Sequence, residues 1–249
     1  MNKVEFRFYE ELNDFVPKSK KRTWFIYNFK GKPTVKDAIE AIGIPHVEVD
    51  LILVNNISVP FSYKLKNNDR ISVYPVFESI DITSVTQLRA KPLRKIKFIL
   101  DVHFGKLSKY LRLLGFDCFY INDIDDNEII NIAIKEKRII LTRDKGLLKN
   151  MNVTHGYWVR SQDSIEQLKE IVKRFHLDSL IKPFYRCIVC NGIIEKASKE
   201  KIISELQPNT IKYYDDFYKC SLCGKIYWKG SHYEKMKQFV DKIINLPEF

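Results

Sequence analysis

Apolar and polar residues alternate at the start of the chain, where charged side chains separate Val4, Phe6 and Phe8. A period of two is typical of a strand with one buried face. A helix is predicted after Thr34, because an acidic residue follows three positions later and apolar residues then recur at helical spacing. Further strand-like runs lie at residues 24–29, 50–54 and 71–74. This order of elements predicts a β-grasp domain over residues 1–79.

Strands alternate with helices over residues 96–182. The short apolar runs that predict strands are residues 97–100, 118–121, 138–142 and 157–159. The first intervening helix is expected to end at Gly115, the second to be capped by Asp126 and to bury Ile134, and the third to be capped by Asp163. Such alternation favours a mostly parallel sheet covered on both faces, so the chain is predicted to be of the α/β class.

Two further segments complete the predicted organisation. Residues 80–95 show no clear hydrophobic period and contain Pro92, so we interpret them as a linker. Residues 183–249 hold short β-type runs followed by a last helix over residues 233–244. The chain is thus expected to contain a β-grasp domain, an α/β domain and a cysteine-bearing C-terminal segment.

Composition narrows the class of protein. Hydrophobic residues make up 45% of the chain and charged residues 29%, as in ordinary globular proteins. No apolar run reaches the 18 residues or so of a membrane span, and the first residues lack the apolar core of a secretory signal. We therefore expect a cytoplasmic protein with no membrane partner.

The net charge of +11 and the pI near 9.3 favour a polyanionic partner. The basic excess is +2 over residues 1–79, +5 over residues 80–154 and +4 over residues 155–249, so it lies mainly in the last two thirds of the chain. A protein that is merely lysine-rich would show the same composition, so charge alone leaves both interpretations open.

Four of the five cysteines form two Cys-x2-Cys pairs, and the second pair is followed directly by glycine. These residues are Cys187, Cys190, Cys220 and Cys223. Two such pairs within β-type sequence favour a closed, four-thiolate structural zinc site over a redox motif, which would place one pair at a helix start. The fifth cysteine, Cys118, is expected to be a buried apolar side chain.

Three aspartates lie where an α/β sheet keeps its functional sites. Asp101 follows a predicted strand, Asp126 opens a predicted helix, and Asp144 lies just past another strand. In a right-handed parallel sheet all three positions fall at the carboxyl edge. Clustered carboxylates repel one another unless a cation neutralises them, and hard oxygen ligands select Mg²⁺ or Mn²⁺. The alternative is that Asp126 only caps a helix and Asp144 only ends a strand.

Basic side chains that could bind phosphate lie close to these acids in the sequence. They are Lys106, Lys109, Arg112, Arg143 and Lys145. Three of them recur at i, i+3 and i+6 on one predicted helix and are expected to share roughly one face, although such a face is often simply solvated. Three isolated histidines are expected to be structural: His103, His155 and His232.

The motifs together resemble the Mut-seven C-terminal ribonuclease family. The residues that carry the resemblance in the α/β region are Asp101, residues 106–117 (KLSKYLRLLGFD), Asp125-Asp126 and residues 140–144 (ILTRD). Those in the cysteine-bearing region are residues 186–192 (RCIVCNG) and 220–232 (CSLCGKIYWKGSH). Residues 34–54 and 69–76 resemble the ubiquitin-like domain that often precedes this nuclease.

The resemblance implies a PIN-like nuclease domain with an attached zinc ribbon, acting on RNA with Mg²⁺ or Mn²⁺. By motif position its acids are Asp101, Asp126 and Asp144, with Asp125 a rival for the middle place and Asp163 a candidate fourth acid. Substrate phosphate is expected to contact Lys106, Arg112 and Arg143.

The ubiquitin-like domain leaves a second interpretation open. Its chain continues through residues 79–81 instead of ending in Gly-Gly, so sulfur transfer is not expected. The alternative to a ribonuclease is a non-catalytic RNA-binding adaptor that docks a protein partner through this domain. Because no proposed ligand lies in residues 1–78, nuclease chemistry is expected not to need them.

Overall fold

The computed structural model describes residues 1–75, 86–88 and 96–245; apart from residues 86–88, the predicted linker lies outside them. The strands are β1 (Asn2–Phe8), β2 (Phe25–Phe29), β3 (Val49–Val54), β4 (Ile57–Ser58), β5 (Arg70–Pro75), β6 (Lys97–Leu100), β7 (Asp117–Phe119), β8 (Ile139–Thr142), β9 (Gly156–Trp158), β10 (Ile194–Ala197), β11 (Phe217–Cys220) and β12 (Ile226–Trp228). The helices are α1 (Val35–Ile42), α2 (Gly105–Leu113), α3 (Asp126–Glu136), α4 (Lys145–Lys149), α5 (Ser164–Arg174), α6 (Lys199–Ile202), α7 (Pro208–Tyr213) and α8 (Ser231–Ile244). Across the described residues, every helix is too short or too polar to cross a membrane.

The N-terminal region forms the predicted β-grasp sheet, of strand order β2-β1-β5-β3-β4. β1 runs parallel to β5 and antiparallel to β2, so the first and last strands meet in the middle of the sheet. The capping box of α1 is present: Asp37 N–H donates to Thr34 Oγ1 at 3.0 Å, and Thr34 N–H donates to the Asp37 carboxylate at 2.8 Å. Phe6, Phe8 and Ile39 are almost completely buried between helix and sheet.

The chain divides into two compact units that do not follow chain order. The first comprises Met1–Lys95 and Asp125–Trp158, and the second Ile96–Ile124 and Val159–Phe249. The predicted α/β region is therefore shared: α3, β8, α4 and β9 belong with the β-grasp sheet, whereas β6, α2, β7 and α5 belong with the cysteine-bearing segment.

In the first unit, β8 and β9 pair in parallel, with Leu141 opposite Tyr157. The predicted role of Asp126 as the cap of α3 is wrong. Asp125 is the cap, and its side chain accepts a hydrogen bond from Glu128 N–H at 2.9 Å. Ile134 is 51% exposed rather than buried, because the apolar stripe that faces the protein is centred on other residues. Those residues are Ile129, Ile130 and Ala133.

In the second unit, β6 and β7 pair in parallel and Cys118 is fully buried, as expected. α2 ends as predicted at Gly115, whose φ is +96°. A Cβ added there would lie 2.3 Å from the Lys182 carbonyl oxygen, so only glycine fits this turn. Lys182 N–H also donates to the Leu114 carbonyl at 2.9 Å, which fastens the start of the C-terminal segment to the end of α2.

The cysteine-bearing segment is built on an antiparallel sheet of order β10-β11-β12. The sequence predicts only β-type runs between the two cysteine pairs, but α6 and α7 also lie there. They contain four and six residues, too few for a helical period to show in the sequence. α8 packs through Phe239, whose ring centroid is 4.7 Å from that of Tyr110 on α2.

Candidate functional site

Four cysteine sulfurs meet beside the three-stranded sheet, at Cys187, Cys190, Cys220 and Cys223. They all lie within 4.8 Å of one another. Cys187 Sγ is 3.7 Å from Cys223 Sγ, and Cys190 Sγ is 3.3 Å from Cys220 Sγ. A disulfide would bring two sulfurs to about 2.05 Å. Tetrahedral zinc, with Zn–S bonds of about 2.3 Å, spaces them by roughly 3.8 Å. The cluster therefore fits a closed four-thiolate zinc centre.

The two cysteine pairs lie on turns with matching backbone hydrogen bonds. In the first turn, Cys187 N–H donates to the Gly192 carbonyl at 2.8 Å and Asn191 N–H donates to the Cys187 carbonyl at 2.9 Å. The second turn repeats these bonds from Cys220 N–H at 2.9 Å and Gly224 N–H at 3.1 Å. Asn191 and Gly224 have φ of +69° and +72°, a conformation that asparagine and glycine tolerate best. We call residues 187–192 the first knuckle and residues 220–225 the second knuckle.

The cysteine thiols differ in pKa. Burial raises the pKa of the Cys187 thiol, but hydrogen bonds from the Tyr227 hydroxyl, 3.0 Å away, and from backbone N–H groups outweigh it and bring the pKa to about 7. Burial raises the pKa of Cys190 to about 12. A cation would bring all four groups to the thiolate form, since a coordinating thiol is deprotonated outright.

The first knuckle is bonded to β7 through side chains. Asn191 Nδ2 donates to one Asp117 carboxylate oxygen at 2.9 Å, and Asn191 Oδ1 accepts from Cys118 N–H at 3.0 Å. Arg186 donates to the other Asp117 oxygen at 3.2 Å. These hydrogen bonds therefore hold the first knuckle in a fixed position against β7.

Arg112 extends this connection and differs from its expected role. Its side chain leaves α2 into the interior, where the residue is 4% exposed. The guanidinium donates to four carbonyl oxygens, those of Cys118 (2.9 Å), Tyr120 (3.4 Å), Ile188 (3.3 Å) and Val189 (2.9 Å). Positions six apart on a helix lie about 120° apart around its axis, so Arg112 does not share a face with Lys106. We assign Arg112 a structural role instead of the predicted phosphate contact.

Asp101 directly follows β6, and its side chain is 9% exposed. Its Oδ1 accepts from His103 N–H at 2.9 Å and lies 3.2 Å from His103 Nδ1. The prediction that His103 is isolated is therefore wrong; its position two residues after an aspartate was the available signal. Burial, and then the charge of Asp101, raise the pKa of Tyr120, whose hydroxyl donates to the Val102 carbonyl at 2.9 Å. No local sequence pattern singles out Tyr120.

Asp144 is the cap of α4, a five-residue helix that the sequence pattern does not predict. Gly146 N–H donates to Asp144 Oδ1 at 2.6 Å, and Asp144 N–H donates to Thr142 Oγ1 at 2.9 Å. The Asp144 side chain is exposed, and Arg143 beside it is half-buried. Asp126, the first residue of α3, is also exposed.

Lys106 and Lys109 are exposed on α2, where they could meet an anionic substrate. Asp163 caps α5 by accepting from Ile165 N–H at 2.9 Å. Hydrogen bonds from the N–H groups of Glu166 and Ile165 lower the pKa of Asp163, and the nearby charge of Lys106 adds a smaller effect.

The structure thus assembles the four cysteines, and it places each predicted acid in its own local setting. Asp101 lies in the second unit, whereas Asp126 and Asp144 lie in the first. Within residues 1–75, 86–88 and 96–245, the cysteines are the one group of three or more ligating side chains close enough to share an ion.

Comparison with known proteins gives two family models. One, described as the Mut7-C RNAse domain, matches residues 96–240, and another, described as Mut7-C ubiquitin, matches residues 1–81. No curated protein matches the chain. The crystal structure of H. volcanii small archaeal modifier protein 1 is 16% identical, covering 30% of this chain and 98% of that chain with a TM-score of 0.25. The crystal structure of SAMP1 from Haloferax volcanii is 15% identical, with coverages of 31% and 99% and a TM-score of 0.26. The RNAse model spans more than half of the chain, which therefore belongs to the Mut7-C RNAse domain family, with a ubiquitin-like domain in front of the RNAse domain.

Proposed function

We propose that this protein is a ribonuclease that hydrolyses RNA phosphodiester bonds with a divalent metal ion. The observation that carries the proposal is the match of the RNAse domain over residues 96–240, which supports a nuclease-type function. Asp101 and Asp144 support the finer claim, because each directly follows a strand and caps the next helical segment. Asp101 caps a three-residue 3-10 helix, Val102–Phe104, and Asp144 caps α4. Such positions at the carboxyl ends of strands are where α/β folds keep their sites.

The metal ligands in this proposal are the carboxylates of Asp101, Asp126 and Asp144. Carboxylate oxygens suit Mg²⁺ or Mn²⁺, which prefer hard ligands. When bound, such an ion lowers the pKa of a coordinated water and offsets charge on a phosphoryl oxygen. Asp126 is the middle ligand by its motif position, and Asp125, the cap of α3, is the alternative.

The remaining residues of the site act on the RNA chain. Lys106, exposed on α2, and Arg143, next to Asp144, are proposed to bind phosphate. The burial of Asp101 strengthens its hydrogen bond with His103, which keeps the Asp101 carboxylate oriented.

The zinc ribbon is proposed to hold a structural zinc ion and to help bind RNA. All four protein ligands are present, so the zinc centre would have no open position for chemistry. Trp228 is 37% exposed beside Lys229 at the end of β12. An exposed aromatic ring with neighbouring lysines is the combination that binds unpaired bases and phosphates.

A cleavage assay tests this function. Purified protein should cut mixed RNA in Mn²⁺ and should stop cutting when chelator is added, while its zinc content is followed in parallel. Asp101→Asn should remove cleavage, whereas Asp37→Asn, a matched change at the capping box of α1, should not. Tight RNA binding without cleavage in any divalent ion would instead support the adaptor interpretation.

A further inference from the structure

Residues 125–158 pack in the same compact unit as the β-grasp domain. Two contacts lie on the helix and turn that precede β3. Lys149 Nζ, on α4, donates to the Glu40 carbonyl at 2.8 Å, and His46 Nε2 lies 2.9 Å from the Val153 carbonyl. These bonds join residues more than 100 positions apart, so the β-grasp domain is attached to the segment that carries Asp144.

Glu48 makes the most specific of these contacts. It is 1% exposed, and its Oε1 accepts from the backbone N–H of Trp158 at 2.6 Å. A buried carboxylate is costly unless hydrogen bonds compensate for its lost hydration. The hydrogen bond between Trp158 N–H and Glu48 therefore holds the end of β9 in a fixed position against the β-grasp domain.

The Trp158 ring is held from two sides. Its centroid lies 5.0 Å from that of Phe15, and the ring packs against the β-grasp core. Lys145 Nζ, from the first residue of α4, lies 4.4 Å from the Trp158 centroid and 4.9 Å from the Phe15 centroid. The cation–π contacts connect α4 to both rings.

Trp158 in turn fixes the peptide group that precedes Asp144. Its indole Nε1–H donates to the Arg143 carbonyl at 3.1 Å. The N–H of the same peptide group, that of Asp144, donates to Thr142 Oγ1 at 2.9 Å. Both polar ends of the Arg143–Asp144 peptide are therefore bonded, one of them by a residue that the β-grasp domain holds.

We propose that the β-grasp domain is a positioning element for Asp144, acting through Glu48, Phe15 and Trp158. The inference deepens the proposed function and rests on it for its effect on cleavage. It reverses the expectation that nuclease chemistry does not need residues 1–78. The face of the ubiquitin-like domain that carries Phe15 and Glu48 contacts the protein's own chain, so a protein partner would have to use another face.

Full-length Trp158→Phe tests the proposal, because it removes the indole donor and keeps an aromatic ring. Amide hydrogen exchange at Asp144 and Gly146 should become about 10-fold faster or more than in wild type. The Mn²⁺ concentration at half-maximal cleavage should rise about 10-fold, as when an outer partner of a metal ligand is lost. Trp24→Phe is the matched control, since the Trp24 ring instead lies under the Arg70 guanidinium, and it should change neither quantity.

A second pair of variants separates positioning from folding. Glu48→Gln keeps an acceptor for Trp158 N–H and should behave nearly like wild type, whereas Glu48→Ala should resemble Trp158→Phe. If these residues only stabilised the fold, the variants would lose activity in proportion to the loss of folded protein. The Mn²⁺ concentration at half-maximal cleavage would then stay unchanged.

Amide hydrogen exchange and RNA cleavage test the positioning role and the proposed function separately. Wild-type exchange rates at Asp144 and Gly146 in Trp158→Phe would overturn the positioning role, and so would an unchanged Mn²⁺ midpoint in a protein that cleaves. A wild-type protein that does not cleave in any divalent ion would overturn the proposed function, and the exchange comparison would still decide whether Trp158 holds Asp144.

Discussion

The cysteine cluster and the three aspartates differ in how the fold arranges candidate metal ligands. The cysteines lie on two matching turns, and their sulfurs are within 4.8 Å of one another. The aspartates lie on separate segments, where Asp101 also caps the 3-10 helix Val102–Phe104 and Asp144 also caps α4. A cysteine pair with fixed spacing has few uses besides binding metal, whereas an aspartate after a strand is equally useful as a cap. Changes at the cysteines should therefore act on stability, and changes at the aspartates on cleavage.

The largest expected effect is the loss of zinc. Structural zinc contributes on the order of 10 kcal/mol to folding, so Cys220→Ser should unfold the ribbon. The sequence alone suggests that only residues 184–230 would be lost. Because Arg112 and Asp117 bond to the first knuckle, the loss should spread to α2 and β7. Hydrogen exchange mapped along the chain, with zinc analysis, measures this. Protection that is lost in residues 184–230 alone would contradict the connection.

A smaller effect is expected at Arg112. Arg112→Leu leaves buried carbonyl oxygens without a donor, which should lower the free energy of unfolding by about 3 kcal/mol. Lys106→Ala, on the exposed face of the same helix, should leave stability within about 0.5 kcal/mol and weaken RNA binding. Denaturant melts and RNA titrations compare the two. A stable Arg112→Leu variant with weakened RNA binding would restore Arg112 as a phosphate contact.

The smallest expected effect on stability separates the adjacent aspartates at the start of α3, Asp125 and Asp126. Asp125→Ala removes the cap and should cost about 1 kcal/mol, with cleavage kept in proportion to the folded protein. Asp126→Ala should cost less stability and should abolish cleavage. The opposite pattern would make Asp125 the ligand. Thermal melts beside the cleavage assay distinguish the two assignments.

Local patterns accounted for much of the fold. The β-grasp order, the capping box at Thr34 and the end of α2 at Gly115 all follow from spacings of a few residues. α4 could not be predicted in this way, because five residues give no helical period. The choice between Asp125 and Asp126 as cap also failed, since adjacent aspartates give the same local signal.

Contacts between residues far apart in the sequence could not be predicted from local sequence patterns. Arg112 bonds to carbonyl groups 76 and 77 residues away, so its burial shows only in three dimensions. Glu48 and Trp158 are 110 residues apart. Their contact changes the interpretation of the ubiquitin-like domain from a separate module to part of the unit that holds Asp144.

Asp144→Asn is the most direct test of the proposed metal-dependent ribonuclease. Asparagine caps helices about as well as aspartate, so the start of α4 should be preserved while one carboxylate charge is lost. RNA cleavage in Mn²⁺ should fall by at least about 100-fold, since changes to outer partners of a metal ligand alone cost about 10- to 100-fold. The melting temperature without metal should equal that of wild type, because the cap of α4 is kept. Cleavage near the wild-type rate would show that Asp144 is not a ligand and would contradict the proposed catalytic site.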